Sequence, residues 1–288
     1  MKNNFILYVI YLSLGIFAFL RSHETNFGIS PSTLHKGGIH VETNIIFSEL
    51  PYVYDGSDKI HGRHRKTSLT RNETTLHYGI TPEITMGLTL PWEKIETKNE
   101  HVLRSSSGLE ASSIDAKYRF YKTDSFAGTT YASIIGIYKF GGPKTDSPAL
   151  HSGNDSFLLG LGSSVVRPKL SFWLNGAIRF HDEESHFKPG DEIIASTALG
   201  YRPWIAEMNE IEINYMAELN YENQSRDEFS GQEVGNSGKE ILFLTPGLRI
   251  NYNRQLVKMA VQIPVYQKFH GEQTGFNFRA KIGWELMF

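Results

Sequence analysis

Apolar and polar side chains alternate without a break over residues 276–288. Phe278, Ile282 and Trp284 fall on one side of this segment, and Arg279 falls on the other. A period of two indicates a β-strand with two chemically different faces. A strand that crosses a membrane needs about 9–11 residues, with apolar side chains turned outward and polar ones turned inward. The segment therefore predicts a strand in contact with lipid.

The same alternation recurs along the chain and predicts about twelve strands. They run near residues 38–49, 67–80, 84–92, 114–120, 127–140, 156–166, 170–181, 193–201, 211–221, 240–252, 256–266 and 275–288. The connections alternate between the long polar segments 50–66, 94–108, 141–155, 182–191, 222–239 and 267–274 and tight turns at 81–83, 122–125, 167–169, 203–209 and 253–254. Long extracellular loops and short periplasmic turns are typical of an outer-membrane barrel. We therefore predict an all-β fold, a transmembrane antiparallel β-barrel of about twelve strands in the outer membrane of a Gram-negative cell.

Three prolines test this prediction, because proline removes a hydrogen bond from a strand ladder. Pro246 and Pro264 lie centrally in predicted strands, where we expect bulges or kinks. Pro91 lies near the predicted outer end of its strand.

The first residues have a different pattern. Lys2 precedes an apolar run from Phe5 to Leu20, which Arg21 follows. A short apolar run behind a positive charge is typical of a secretory signal peptide. The alternative is an uncleaved anchor that holds a periplasmic domain. We predict a signal peptide over 1–22, a flexible periplasmic leader over 23–37 and the barrel over 38–288.

Composition narrows the possible classes. The chain has 288 residues, a formal net charge of -2 and no cysteine. The lack of cysteine excludes disulfides and thiolate metal sites, and the small net charge gives no electrostatic reason to expect nucleic acid as a partner. A mean hydropathy of -0.31 is compatible with a barrel, because only alternate strand residues contact lipid.

Charged side chains on the inward faces of the predicted strands are the candidate lumen residues. An Arg or Lys at the bilayer midplane costs about 2–4 kcal/mol, so these side chains must face a wet or self-paired interior. The candidates for the lumen lining or a constriction are Glu42, Arg71, Glu73, Asp115, Lys117, Arg119, Arg179, Glu212, Glu218, Lys258, Arg279, Lys281 and Glu285. Two interpretations stay open: a charged constriction that selects solutes, and a salt-bridge network that plugs a narrow barrel. The mixture of signs argues against a strongly ion-selective pore.

Metal binding and hydrolysis find little support in the residue spacing. Four histidines lie near one predicted outer loop region but have no tight ligand spacing, so neither a metal nor a cofactor is predicted. They are His61, His64, His77 and His101. His151 and Ser152 are neighbours in sequence. Adjacent strand residues point to opposite faces, whereas nucleophilic catalysis needs the base within hydrogen-bond reach of the hydroxyl. An enzyme is therefore not predicted.

Several short motifs resemble one family of outer-membrane proteins. They are GLTLPW at 87–92, IDAKYRF at 114–120, FGGP at 140–143, SGND at 152–155, LTPGL at 244–248 and IPVY at 263–266. Together they resemble the MetA-pathway of phenol degradation family over most of residues 38–288. The resemblance implies a twelve-stranded outer-membrane barrel with a role in passive uptake or efflux of small molecules, aromatic ones included. It implies no catalytic residues, and the family's Pro-Thr-Gly after the fifth strand is replaced here by Gly-Gly-Pro.

We therefore expect an outer-membrane channel or facilitator for passive transport of small solutes, aromatic or hydrophobic ones included. The alternatives are a plugged structural or adhesive barrel that acts through its extracellular loops, and an outer-membrane hydrolase. The expected partners are outer-membrane lipid, lipopolysaccharide, the barrel-assembly machinery and a small-molecule solute. The basic run 61–66 suits lipopolysaccharide phosphates. Trp284, Leu286 and the terminal Phe288 resemble the assembly signal of Gram-negative outer-membrane proteins.

Overall fold

Twelve long strands build the molecule. A computed structural model describes residues 25–60, 65–98, 102–142, 153–205 and 210–288. The barrel strands are β1 (Ile39–Leu50), β2 (Lys66–Gly79), β3 (Ile84–Lys98), β4 (Ser113–Ser125), β5 (Gly128–Lys139), β6 (Ser156–Val166), β7 (Leu170–His181), β8 (Glu192–Tyr201), β9 (Glu212–Gln224), β10 (Lys239–Tyr252), β11 (Gln255–Phe269) and β12 (Phe278–Met287). In these ranges the structure contains no helix of the length and apolarity that a membrane crossing requires.

Each barrel strand pairs antiparallel with the next, and the last strand closes the ring on the first. In the closing pair β1–β12, His40 lies opposite Met287 and Glu49 lies opposite Phe278. Closure leaves the barrel without an unpaired sheet edge, as the interior of a bilayer requires. The predicted closed, twelve-stranded antiparallel barrel is confirmed.

Apolar side chains cover the outside of the barrel. Leu161, Leu174 and Ile282 have 56%, 54% and 59% of their surface exposed, and the outward residues of the other strands are similar. A soluble monomer rarely exposes a contiguous apolar patch larger than about 600 Å², whereas this surface surrounds the molecule. It suits hydrocarbon, so the architecture is that of a multi-pass barrel of the outer membrane. The ends of the barrel with long loops are then extracellular and those with short turns are periplasmic.

The region between β3 and β4 differs from the sequence prediction. Residues 94–108 were predicted as a loop, but β3 continues to Lys98, and a further strand, Leu103–Leu109, pairs with Trp92–Lys98. Pro91 is therefore central in β3 rather than near its outer end. The ladder between β3 and β4 is broken opposite this proline, where the Glu110 amide donates to the Pro91 carbonyl at 3.0 Å. A proline cannot donate to a ladder, which explains why the break falls here.

Two irregularities alter the ladder elsewhere. A bulge between Arg119 and Tyr121 carries β4 on to Ser125, so the turn predicted at 122–125 is wrong and the chain turns at 126–127 instead. The bulge changes which face alternate residues occupy, so the alternation in the sequence did not reveal where the strand ends. A second register shift lies between Leu242 and Phe243 of β10. It lies where Phe243 pairs with Pro264, which confirms the irregularity expected at Pro264, whereas the register is the same on both sides of Pro246.

The extracellular loops contain short strands that the sequence did not predict. One three-stranded sheet consists of Tyr52–Asp55, Asp58–Ile60 and Glu272–Gly275. A second consists of Phe187–Lys188, Glu228–Phe229 and Gln232–Glu233. We call the first of these the mouth sheet. It continues the β1–β12 seam beyond the barrel wall, and its Tyr54 packs against Phe269 of β11.

Candidate functional site in the barrel lumen

A buried ion cluster lies inside the barrel where β1, β11 and β12 meet. The Lys258 ammonium lies 2.7 Å from Glu285 Oε1 and also contacts the Glu42 carboxylate, and Lys281 Nζ lies 3.9 Å from Glu42 Oε1. Because Glu42 and Glu285 are register partners, their carboxylates share one patch of wall. Gly283 pairs with Lys258 across the seam, and a Cβ there would approach Lys258 Cε to 2.7 Å. The glycine thus leaves room for the lysine. We call Glu42, Lys258, Lys281 and Glu285 the central ion cluster.

A line of two histidines extends this cluster across the wall. His40 Nε2 lies 3.3 Å from Glu285 Oε2, His77 Nε2 lies 3.3 Å from Asp115 Oδ1, and the two Nδ1 atoms are 3.3 Å apart. The rings stack with an interplanar angle of 3°. An ionised carboxylate accepts, so each histidine donates from Nε2, and the contact between the two Nδ1 atoms needs one proton.

One group of side chains has the spacing of a metal site. Within the described ranges, His40, Glu42 and Glu285 place one ligand atom each within 4.8 Å of one another. Lys258 contacts both carboxylates and supplies a cation there. A divalent ion would have to displace this buried ammonium, so the cluster fits an internal ion pair better than a metal. His61, His64 and His101 lie outside the described residues, as do His151 and Ser152.

The remaining candidates also face the interior, in separate groups along the wall. Arg71 pairs with Glu73 at 2.7 Å and with Glu110 at 3.2 Å, and Lys139 pairs with Glu110 at 2.6 Å. Other pairs are Arg179–Glu192 at 2.7 Å, Arg202–Glu212 at 3.5 Å and Arg279–Glu222 at 3.0 Å. Lys117 is buried and Arg119 half-buried on the same face of β4. All candidates thus point inward but do not converge on one ring, and a constriction built from them stays a prediction.

A segment that precedes β1 also lies inside the barrel. We call residues 25–37 the lumen segment. Near the short-turn rim, the Leu34 amide donates to Thr85 Oγ1 at 2.8 Å. Farther in, Ser133 Oγ donates to the Pro31 carbonyl at 2.5 Å. The lumen segment therefore starts inside the barrel and leaves it at the short-turn rim, where β1 begins.

The lumen segment reaches the middle of the barrel at Glu218. Its carboxylate accepts from the amides of Asn26 and Phe27 at 2.5 and 3.2 Å. Lys281 donates to the Asn26 carbonyl at 2.8 Å, and its ammonium lies 5.5 Å from the Phe27 ring centre. Glu218 is only 1% exposed, so these bonds satisfy a buried charge. The sequence did not place this segment in the lumen, and the boundaries 1–22, 23–37 and 38–288 stay a prediction.

Apolar side chains gather on the inner side of the wall near the extracellular end. Ile241, Phe243 and Phe269 are at most 2% exposed, and Tyr54 and Phe276 pack against them. Phe243 and Phe276 meet edge to face, with ring centres 5.7 Å apart. We call these five residues the mouth cluster. It joins the mouth sheet to the barrel wall.

Comparison with solved structures supports this architecture. An outer membrane channel from Pseudomonas putida F1 matches with a TM-score of 0.74 at 13% identity, over 89% of this chain and 97% of that chain. The translocator domain of the autotransporter NalP from Neisseria meningitidis matches with a TM-score of 0.51 at 10% identity, over 99% of this chain and 97% of that chain. The beta domain of the Bordetella autotransporter BrkA matches with a TM-score of 0.52 at 9% identity, over 88% of this chain and 100% of that chain.

The fold is that of an outer-membrane β-barrel. At these identities the likeness establishes the fold alone. Neither a family model nor a curated protein sequence matches the chain.

Several interior residues were not among the sequence candidates. His40 and His77 lie on predicted inward faces, so period-two alternation could have identified them. His77 is close to the short turn that follows β2, so its predicted position near an outer loop is wrong. Arg249, which is 1% exposed, follows the same alternation on β10. The predicted fourth strand begins after Glu110, so no pattern in the sequence marked Glu110 as a residue of the barrel wall. Trp284 and Phe288 point outward as the alternation predicts, and their role in assembly stays a prediction.

Proposed function

We propose that this protein is an outer-membrane channel for passive diffusion of small solutes, closed in this structure by the lumen segment. One observation carries the proposal: the lumen is occupied by a segment of the chain itself, which contacts polar wall side chains. Such contacts exchange readily for water, whereas a packed apolar core would not. When the segment leaves, its place is lined by paired charges of both signs, which can replace part of a solute's hydration.

The solute class follows from the resemblance and from the wall chemistry. The mixed signs suit small neutral or weakly charged molecules better than one class of ion. Membership of the MetA-pathway of phenol degradation family would add aromatic molecules to this class. The neighbour from Pseudomonas putida F1 is described as an outer membrane channel, which supports transport over catalysis. We propose no enzymatic activity.

The partners outside the lumen follow from the surface. The apolar belt requires membrane lipid, and we propose that lipopolysaccharide contacts the extracellular rim and that the barrel-assembly machinery reads the end of β12. The predicted basic run begins outside the described residues, and its last member, Lys66, pairs with Glu49. Only part of that charge would therefore meet lipopolysaccharide phosphates.

Planar-bilayer recording tests the channel. We expect the full chain to show small or rare conductance steps, because the lumen segment fills the path. Deletion of residues 25–34 should give larger and longer openings. Glu218→Gln, which weakens the acceptor for Asn26 and Phe27, should give an intermediate result.

The filled lumen also favours a second candidate, the structural barrel that acts through its loops. The same recording separates the two. If the deletion variant folds, as shown by its heat-dependent shift in gel mobility, and still gives no conductance, the channel proposal is wrong and the structural barrel remains.

A further inference from the structure

One buried guanidinium in the lumen wall lacks a partner among the described residues. Arg249 lies on the inward face of β10 and is 1% exposed. Its Nε and Nη2 atoms donate no hydrogen bond to a described residue, and the side chain forms no ion pair with a described carboxylate. The buried charges around it, Lys258, Glu218 and Glu285, all have partners. Because a buried charge without a partner is costly, Arg249 needs an explanation that the fold itself does not supply.

The two unpaired atoms form one edge of the guanidinium. Nε and Nη2 carry parallel N–H groups, which is the arrangement that binds two oxygens of a carboxylate or a phosphate. The register partners on either side do not use this edge. On β9, Asn214 has no partner for its own Oδ1 among the described residues, and on β11, Lys258 contacts Glu42 and Glu285. The edge therefore has the geometry of a site for one planar anionic group.

The lumen segment covers this part of the wall without satisfying it. A Cβ on Gly247, two residues from Arg249 on the same face of β10, would overlap the side-chain amide of Asn26. Asn26 is 1% exposed, but neither its Nδ2 nor its Oδ1 has a hydrogen-bond partner in the described part of the chain. The backbone of Asn26 binds Glu218 and Lys281 instead. Two buried polar side chains at neighbouring positions thus both lack the partner that each needs.

We propose that Arg249 binds the carboxylate of a small organic acid, and that such a solute opens the channel by displacing Asn26. The carboxylate accepts two charge-assisted hydrogen bonds, from Nε and Nη2, and its single negative charge matches the one positive charge without a partner. The Phe27 ring, 5.5 Å from the Lys281 ammonium, leaves with Asn26, so a ring of the solute can take its place. The inference rests on the proposed channel function and names one class of its solutes.

Access to the lumen segment tests the site. Ser30 is 8% exposed and the chain has no native cysteine, so maleimide labelling of Ser30→Cys in the folded full chain reports departure of the segment. The probes are benzoate and benzamide, which has nearly the same shape without the charge. We expect benzoate to speed labelling at about tenfold lower concentration than benzamide, the factor that one charge-assisted hydrogen bond gives. Equal effects of the two probes would contradict the site.

Substitutions at Arg249 assign the effect to its guanidinium. Arg249→Gln removes the charge and should abolish the preference for benzoate. Arg249→Lys keeps the charge but removes the parallel N–H groups, and should lose most of the preference. If Arg249→Gln still prefers benzoate, the proposal is wrong.

Arg202→Gln is the matched control. Arg202 is also buried in the lumen wall, at 8% exposure, but it already has partners: its Nη2 donates to the Arg167 carbonyl at 2.6 Å, and its Nη1 lies 3.5 Å from Glu212. Arg202→Gln should keep the preference for benzoate and lower the urea midpoint of unfolding. Arg249→Gln should leave that midpoint unchanged or raise it, because it removes a buried charge without a partner. A lowered midpoint for Arg249→Gln would show that Arg249 serves the fold instead.

The same assay distinguishes two other occupants of the site. Inorganic phosphate also offers two oxygens to the guanidinium edge. If phosphate speeds labelling at lower concentration than benzoate, the site is one for phosphate and the proposal is wrong. Glu24 precedes the lumen segment in the sequence and lies outside the described residues. If Glu24→Gln and Arg249→Gln both speed labelling without benzoate, Arg249 pairs with a carboxylate of the chain itself, and the proposal is again wrong.

Planar-bilayer recording separates this inference from the proposed channel function. Benzoate should lengthen the openings of the full chain but not those of Arg249→Gln. If deletion of residues 25–34 opens the channel while benzoate changes neither labelling nor conductance, the carboxylate site is wrong and the channel stands. If the deletion variant folds without conducting, while benzoate still speeds labelling through Arg249, the carboxylate site stands and the channel is wrong.

Discussion

At the scale of single residues, Lys258 holds two buried carboxylates together. Its side chain is 2% exposed and contacts Glu42 and Glu285. Lys258→Met keeps most of the apolar stem but removes the charge. Loss of one partner from a buried pair costs about 3–5 kcal/mol, because the opposite charges stay buried. We expect a loss of this size in the free energy of unfolding, measured by urea titration of the barrel in phospholipid vesicles.

The control for this prediction is an exposed ion pair. Lys122 pairs with Asp124 at 2.9 Å near the short-turn rim, where both side chains are about a third exposed or more. Lys122→Met should cost about 1 kcal/mol or less. Equal losses in the free energy of unfolding for the Lys122 and Lys258 variants would show that the central ion cluster is as accessible to water as the rim.

Asp155, at the extracellular end outside the strands, gives a prediction that depends on pH. Hydrogen bonds from the Tyr138 hydroxyl and then the Gly141 amide hold the pKa of Asp155 below its ordinary value of 3.8. A lowered pKa in the folded state stabilises the fold above the ordinary pKa, and this contribution is lost as the pH falls through the lowered value. Tyr138→Phe removes the larger cause, so the pKa of Asp155 should rise toward 3.8. Carbon-13 NMR of the carboxyl group measures it, and an unchanged value would contradict the hydrogen bond.

At the scale of elements, the lumen segment should respond to changes in the wall it contacts. A Cβ on Gly162 would lie 2.9 Å from Pro31 Cβ and 2.6 Å from the side-chain oxygen of Asn175, whereas Gly176, which faces outward on the next strand, has open space around it. Gly162→Leu should therefore push the segment away, and Gly176→Leu should not. Ser30→Cys reports the change, since Ser30 is 8% exposed and no other thiol competes. We expect maleimide to label this thiol faster in Gly162→Leu, and equal rates in both glycine variants would contradict the contact.

The strands show how far the sequence alone could lead. Period-two alternation located all twelve, and β6 and β10 agree with the predicted ranges to within one residue, because each strand separates lipid from lumen. The same signal failed at the β4 bulge, where two residues share one position. It also could not find Leu103–Leu109, whose serines and glycine have no apolar face, or the short loop strands.

The interior was predicted residue by residue but not as a network. Alternation assigned His40, Glu42 and His77 to inward faces, yet their contacts depend on the register between strands, which one sequence does not fix. The lumen segment was missed for a different reason. Glu218 binds the amides of Asn26 and Phe27, and every residue except proline has such an amide. The side chains of Asn26 and Phe27 therefore gave no indication of this contact in the sequence.

At the scale of the whole molecule, the barrel inverts the usual arrangement of a globular protein. Charges such as Glu218, Arg249 and Lys258 are buried, at 1%, 1% and 2% exposure, while Leu159 and Leu174 are 50% and 54% exposed. This is stable only if hydrocarbon solvates the outside, since buried charges need partners and exposed leucines need an apolar medium. The ion pairs of the lumen and the apolar belt are therefore two parts of one adaptation to the bilayer.

Leu161→Arg tests this adaptation directly. Leu161 is central in β6 and 56% exposed, and Phe229, in the extracellular loops, is 58% exposed. In water the two positions would tolerate arginine equally. In a bilayer, arginine at the midplane costs about 2–4 kcal/mol and close to nothing beyond the interface. We expect urea titration in phospholipid vesicles to show that loss for Leu161→Arg and no loss for Phe229→Arg. If the two variants were equally stable in vesicles, lipid would not be the medium around these strands, and the proposed channel would lose its basis.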